Sequence, residues 1–174
     1  MTPMFQSVAA SLGNSLSQPA DWSQSTNGKG VTVAWCRLSD AAQILPMARL
    51  IKVLDGRLST ITAYQIKQQP DGLEIAYHFD LDGDTLTATV TVDAAPRIIP
   101  SLTGVFRNAD WNEREFMELY QIEVTGHPNP RRLFIDENID PAVLQRFIPY
   151  SDLVNAASTK ALWEKIMITK GDTQ

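Results

Sequence analysis

The sequence predicts a two-layer α+β domain, with a mixed or antiparallel sheet containing a three-stranded meander and helices on one face. Three observations lead there. Two Asp/Pro-Gly turns, at Pro70-Asp71-Gly72 and Asp82-Gly83, separate three strand-like runs. The last of these, TLTATVTV, alternates apolar residues with threonine at a period of two. Apolar residues at helical spacing lie before and after this central block.

In chain order, Pro3 to Leu16 reads as a short amphipathic helix with Phe5, Val8, Leu12 and Leu16 on one side. Ser17 to Gly30 is rich in Ser, Gln, Asn and Gly and reads as a loop, with Trp22 as its anchor. Val31 to Cys36 is β-branched and is the first expected strand. Ser39 is the expected N-cap of a helix ending near Gly56, a C′ stop, with Pro46 bending it. Arg57 to Gln68, Leu73 to Leu81 and Thr85 to Val92 form the meander. Ala94 to Pro100 is a proline-bounded connection. Beyond Asp136, Pro141 to Phe147 suggests a helical turn and Ala156 to Met167 a final helix. This divides the chain into an N-terminal helix and loop (1–30), an α+β domain (31–136) and a helical extension (137–174).

Composition narrows the function. The 174 residues are 44% hydrophobic and 20% charged, enough to bury one core. A net charge of −5 argues against a nucleic-acid footprint. The single cysteine, Cys36, excludes an internal disulfide and a Cys-ligated iron–sulfur cluster, and it reads as a buried structural thiol in a reducing, cytosolic setting. His78 and His127 lack a partner at metal-ligand spacing, and His78 reads as a satisfied strand residue. No apolar run is long enough to span a bilayer, and the N-terminus lacks the basic region of a signal peptide. Asp80, Asp82 and Asp84 lie in a hairpin turn, which explains them better than a cation loop does.

The densest chemistry lies between Asp110 and Asp136. Asp110 is the expected N-cap and Glu113 its capping-box partner. Phe116, Leu119 and Tyr120 share one helix face. Gly126, Pro128 and Pro130 make a turn around His127, and Arg131 and Arg132 lead into an expected strand, Leu133 to Ile135. Glu113, Arg114, Glu115, Glu118, His127, Arg131 and Arg132 are interleaved with Trp111, Phe116, Tyr120 and Phe134, so some charges must pack against the core. Such charges persist only when paired. Two functional classes remain open on these residues. One is an enzyme with Glu113 or Glu115 as general base and His127 as acid. The other is a binding or structural module.

The run ADWNEREFMELYQIEVTGHPNPRRLFID resembles the signature of the 30 kDa, or C-type, subunit of respiratory complex I (NADH–quinone oxidoreductase). The likeness lies in Trp111, Glu113-Arg114-Glu115, Glu118 with Tyr120, Gly126-His127-Pro128 and Arg131-Arg132. RLSTITAY, YHFDLDG and PSLTGVF also resemble the family's meander and its approach to the motif. The same domain occurs in membrane-bound energy-converting nickel–iron hydrogenases. From Ile135 on, IDENIDPAVLQRF takes the place of the family's second G-H-P segment, which keeps the hydrogenase-type complex in view.

The resemblance implies a subunit that binds no cofactor itself, with NADH, FMN, iron–sulfur clusters and quinone in other subunits. Its partners would be the quinone-site (49 kDa-like) subunit or the hydrogenase large subunit, with other hydrophilic-arm subunits. It would be cytoplasmic and reach the membrane only through the complex. Trp111, Glu113, Arg114, Glu115, Glu118, Tyr120, His127, Arg131 and Arg132 would then set the docking edge or touch the partner. If Arg114 belongs to a buried charge pair, Arg114→Ala should cost a few kcal/mol, read by denaturant unfolding.

Overall fold

A computed structural model describes residues 3–15, 21–66, 72–92 and 96–138. The chain divides into two compact units, Met1–Glu137 and Asn138–Gln174, and the architecture below is that of the first. The helices expected at 141–147 and 156–167, the Pro70-Asp71 half of the first turn, and Leu16 lie outside the described residues, as does the side chain of Leu12.

The elements run α1 (Pro3–Ser15), β1 (Asp21–Thr26), β2 (Thr32–Leu38), a 3₁₀ turn (Ala41–Gln43), α2 (Ile44–Val53), β3 (Arg57–Gln65), β4 (Leu73–Leu81) and β5 (Asp84–Val92). Then come β6 (Ile98–Pro100), α3 (Ala109–Tyr120) and β7 (Glu123–Thr125). Five strands form one sheet in the order β1-β2-β5-β4-β3, and β6 pairs with β7 alone. The β2–β5 pair is parallel and its neighbours are antiparallel, so the sheet is mixed, as expected. The meander β3-β4-β5 stands where the period-two pattern put it. Its second turn uses Asp82 and Gly83, both at positive φ (58° and 91°), as a two-residue hairpin requires.

Alternation decides which face is buried. Leu73, Ile75, Tyr77, Phe79 and Leu81 of β4 join Ala34, Cys36 and Leu38 of β2 and Leu86, Ala88 and Val90 of β5 in one core. Phe5 and Val8 of α1, Ile44, Met47, Ala48 and Ile51 of α2, and Phe116 of α3 belong to the same core. The opposite face carries Trp35, Arg37, Glu74 and His78. His78 is satisfied there, between the hydroxyls of Thr62 (3.2 Å) and Thr87 (3.0 Å). Burial pushes the Cys36 thiol up to about 11, the behaviour of an inert structural cysteine.

Four expectations are corrected. The stretch read as the Ser17–Gly30 loop contains β1, paired in full register with β2, so the strand expected at Val31 to Cys36 is the second one and runs Thr32–Leu38. Its sequence DWSQST has weak β-propensity, and the pairing arises from the β2 edge beside it. Asp40 caps the 3₁₀ turn that leads into the second helix: its side chain accepts from the Ala42 N–H at 2.8 Å and forms a capping box with Gln43, whereas Ser39 only bonds the Gln43 side chain. The single bent helix is instead a 3₁₀ turn followed by α2, and Pro46 lies in the first turn of α2, where its missing N–H would have no helical partner.

The left-handed residue ending α2 is Asp55 (φ 63°), not Gly56. Bonds from Asp55 N–H to Lys52 O and from Gly56 N–H to Ile51 O close a Schellman motif. Gly56 is needed for space: a Cβ there would lie 2.5 Å from Ile51 Cγ2 and 2.8 Å from Leu81 Cδ2. Gly56→Ala should therefore destabilise by about 1–3 kcal/mol. Gly28→Ala, which meets nothing within 4 Å, should change stability by less than about 0.5 kcal/mol. Urea denaturation of both variants checks the pair.

Candidate functional site

The charged motif is built by α3 and the loop after β7. β6 leads into α3 and β7 leads out of it, and their parallel pairing (Ile98↔Glu123, Ile99↔Val124, Pro100↔Thr125) brackets the helix. The Ala94–Pro100 connection thus ends in a strand, too short for periodicity to reveal. Arg97 Nη1 caps the far end of α3 by donating to Tyr120 O at 3.2 Å. Asn108 and Asn112 tie the helix to β3 by donating side-chain N–H groups to Leu58 O (2.8 Å) and Ile61 O (3.3 Å).

Glu113 is buried (1% exposed), yet it is not a capping residue. The helix begins at Ala109 after Asn108, so Asp110 lies in the first turn and Glu113 lies too deep to reach back. Its Oε1 accepts from Leu102 N–H and its Oε2 from the Ser101 hydroxyl, both at 2.6 Å. The carboxylate therefore fastens the segment after β6 to α3. Burial raises its pKa, against the opposing effects of Ser101, Leu102 and His127.

His127 sits with its side chain fully enclosed. Its Nδ1 accepts from Asn129 N–H at 3.0 Å, which places the ring proton on Nε2. That nitrogen lies 3.4 Å from Asp110 O, 3.2 Å from Asp110 Oδ1 and 3.7 Å from Glu113 Oε2. Asp110 Oδ1 is outside hydrogen-bond geometry, so its contact with the ring is electrostatic only. The acid–base pair of the enzyme reading does meet in space. It is sealed from solvent, and both Glu113 oxygens are occupied.

Among the described residues, Arg114 pairs with no carboxylate. Its Nε donates to Arg131 O at 2.8 Å and its Nη2 to Arg132 O at 2.5 Å, one planar guanidinium reaching two consecutive carbonyls. One turn further along, Glu118 accepts three consecutive backbone N–H groups: Leu133 (2.7 Å) and Phe134 (2.8 Å) on Oε2, and Ile135 (3.0 Å) on Oε1. This corrects the expected strand at 133–135. Successive strand N–H groups point to opposite sides, so one carboxylate can gather three in a row only from a bent, concave backbone. Desolvation raises the Glu118 pKa, but the three N–H bonds and Arg132 outweigh it and hold it below the ordinary value.

Asp110, Arg114 and Glu118 stand at four-residue spacing along one row of α3. Each holds a later part of the loop: His127, then the 131–132 carbonyls, then the 133–135 amides. The loop is thereby fastened along the helix by side-chain-to-backbone bonds. Arg131 Nε bonds Asn129 Oδ1 (2.8 Å), and Arg132 Nη1 bonds Asp136 O (3.1 Å). Tyr120 packs against the core, whereas Leu119, expected beside it, is exposed. Glu115 has no hydrogen-bond or ion-pair partner among the described residues. Trp111 is 68% exposed and Phe134 57%. No group of three His, Cys, Asp or Glu that could hold a metal ion occurs among the described residues. None of the described helices is long and apolar enough to cross a membrane.

Fold and site define a small α+β domain whose charged motif binds its own loop and leaves aromatics outside. The family described as respiratory-chain NADH dehydrogenase, 30 Kd subunit, matches residues 38–151. The chain belongs to that family. It is 36% identical over 123 residues to the C-type subunit of the NADH-quinone oxidoreductase of Rhodopseudomonas palustris (strain TIE-1), covering 66% of this chain and 59% of that relative. It is 29% identical over 133 residues to the C-type subunit of the Parvibaculum lavamentivorans enzyme, covering 72% and 66% respectively. The chain thus spans about three-fifths of the length of such relatives. Among solved structures, a trypsin-resistant fragment (1-134) of Nqo5 aligns with a TM-score of 0.53 at 20% identity, over 72% of this chain and 98% of the fragment. A chain of the membrane-bound sulfane sulfur reductase (MBS), an archaeal respiratory membrane complex, aligns with a TM-score of 0.60 at 10% identity, over 86% and 90%. These two likenesses are of fold.

Three outcomes follow. Glu113→Ala should cost about 3 kcal/mol, because it strands the buried Leu102 N–H and Ser101 hydroxyl, and Glu113→Gln under about half of that. Arg114→Ala should cost about 1–2 kcal/mol, a lower figure than a buried ion pair would give, with Lys restoring little because it cannot span both carbonyls. The two glutamates should act oppositely with pH. The lowered folded pKa of Glu118 adds stability above its unfolded value, near 4.5, that is lost as pH falls through the folded value. The raised folded pKa of Glu113 does the reverse, so its contribution declines as pH rises above about 4.5. In unfolding measured from pH 3 to 7, Glu118→Gln should flatten the acid limb, and Glu113→Gln should remove a decline on the neutral side.

Proposed function

We propose that this chain is a structural subunit of the hydrophilic arm of an NADH–quinone oxidoreductase-type complex, docked beside the quinone-site subunit and carrying no redox group itself. The carrying observation is the family match over residues 38–151, which contains the whole charged motif. The motif's geometry supports a non-catalytic role. Glu113, Glu118 and His127 are engaged with the chain's own backbone and side chains, and the Glu113–His127 pair has no opening for a substrate. NADH, FMN, iron–sulfur clusters and quinone would then belong to other subunits, and the chain would be peripheral to the membrane through the complex. Trp111 and Phe134, held outward on a fastened helix and loop, are the residues suited to contact the neighbour.

A second reading is the equivalent subunit of a membrane-bound complex related to energy-converting nickel–iron hydrogenases. The fold shared with a chain of MBS favours keeping it. Both readings share one test. An affinity-tagged chain expressed in its native cells should co-isolate from solubilised membranes, in equal amount, with a large subunit of the quinone-site or hydrogenase type. The isolated chain should show no flavin or iron–sulfur absorbance. A chain that never associates with such a subunit, or that is coloured alone, contradicts the proposal.

A further inference from the structure

The two edges of the five-stranded sheet are treated differently. At β3, Asn108 and Asn112 of α3 reach Leu58 O and Ile61 O with side-chain N–H groups, so the edge is covered. At β1, all six residues are exposed, and no strand among the described residues pairs with its outer side. The bond from Asn27 N–H to Val31 O sets the phase of the β1–β2 ladder. Counting back in twos through the register, Asp21, Ser23 and Ser25 face β2. Trp22, Gln24 and Thr26 therefore direct their backbone N–H and C=O groups away from the sheet.

Exposed edges are ordinarily blunted by Lys, Pro, a bulge or a very short strand. DWSQST has none of these: it contains no Lys or Pro, keeps an unbroken six-residue register and carries one charge, Asp21. Apolar surface also collects there. Trp22, Val31, Val33 and Trp35 are four of the ten exposed large apolar side chains among the described residues, and all lie on β1, β2 or the turn joining them. Trp22 leans on Phe5 of α1 (ring centroids 6.0 Å apart), so the edge is backed by the core.

We propose that the outer edge of β1 is a docking site for one extended strand of a neighbouring subunit, which joins the sheet as a sixth strand. Unpaired N–H and C=O groups in a row are complementary to another strand, and the near absence of charge favours an uncharged segment with apolar residues at alternate positions. The size of the edge argues for a subunit already bound elsewhere and against a second copy. Six residues at about 3.3 Å each, on a sheet about 10 Å thick, bury roughly 200 Å² per side. A free-standing dimer needs about 800 Å² per side. The inference rests on the subunit reading above.

The test places a photo-crosslinking residue at position 24 of the tagged full chain in its native cells, with linkage sites in the isolated complex mapped by mass spectrometry. Alongside it, Gln24→Pro removes an outward N–H without breaking a β1–β2 bond. The expected result is a crosslink to one extended segment of another subunit, with incorporation of Gln24→Pro reduced at least tenfold and that of Val53→Lys, on exposed α2 surface, unchanged. A misfolded Gln24→Pro, seen by circular dichroism, leaves the crosslink map to decide. No crosslink from a chain that does enter the complex, or a crosslink only to a second copy, overturns the edge proposal and spares the subunit reading. A wild-type chain absent from every complex overturns both.

Discussion

The motif depends on one arrangement: a row of charged side chains on α3, set four residues apart, that binds the backbone of the loop following β7. Arg114 holds the carbonyls of Arg131 and Arg132, and Glu118 holds the amides of Leu133, Phe134 and Ile135. Between Gly126 and Asp136 two prolines remove N–H donors, so this segment cannot build a regular ladder of its own. Its polar backbone is satisfied by α3, and charge-assisted bonds to backbone groups are the stronger kind.

One buried group attaches this unit to the rest of the domain, and a second closes the unit on itself. Glu113 binds the start of the turn after β6, while His127 donates toward Asp110 and receives the Asn129 N–H. A carboxylate enclosed to this degree costs stability unless its oxygens are satisfied, and here both accept short bonds. The exposed aromatics, Trp111 and Phe134, sit on opposite members of the fastened pair and so project from fixed backbone. That is the form expected of a surface that meets a partner without rearranging. It links a set of intramolecular hydrogen bonds to the assembly role proposed for the chain.

Much of the fold was legible in the sequence, for identifiable reasons. The meander announces itself because Asp82-Gly83 demands positive φ and the threonines of β5 mark the face away from the core, where Thr85 and Thr91 are exposed and Thr87 and Thr89 are covered. β1 is silent because Asp, Ser and Gln carry no strand preference, and its pairing follows from the neighbouring β2 edge. β6 and β7, three residues each, are too short to show a period. Within the site, the residues were legible but their partners were not. Charges among aromatics required satisfaction, yet the sequence pointed to charge–charge pairs and a capping box. The partners are mostly backbone atoms 11 to 18 positions away, which no local pattern encodes.

Amide hydrogen exchange at Leu133, Phe134 and Ile135 tests the fastening most directly. If Glu118 binds these three N–H groups, they are protected in the wild-type chain, and Glu118→Ala speeds their exchange about 10- to 100-fold, the equivalent of a charge-assisted bond worth about 1.5–3 kcal/mol. Amides in β4 should be far less affected. Equal and rapid exchange of the three amides in both proteins would contradict the account.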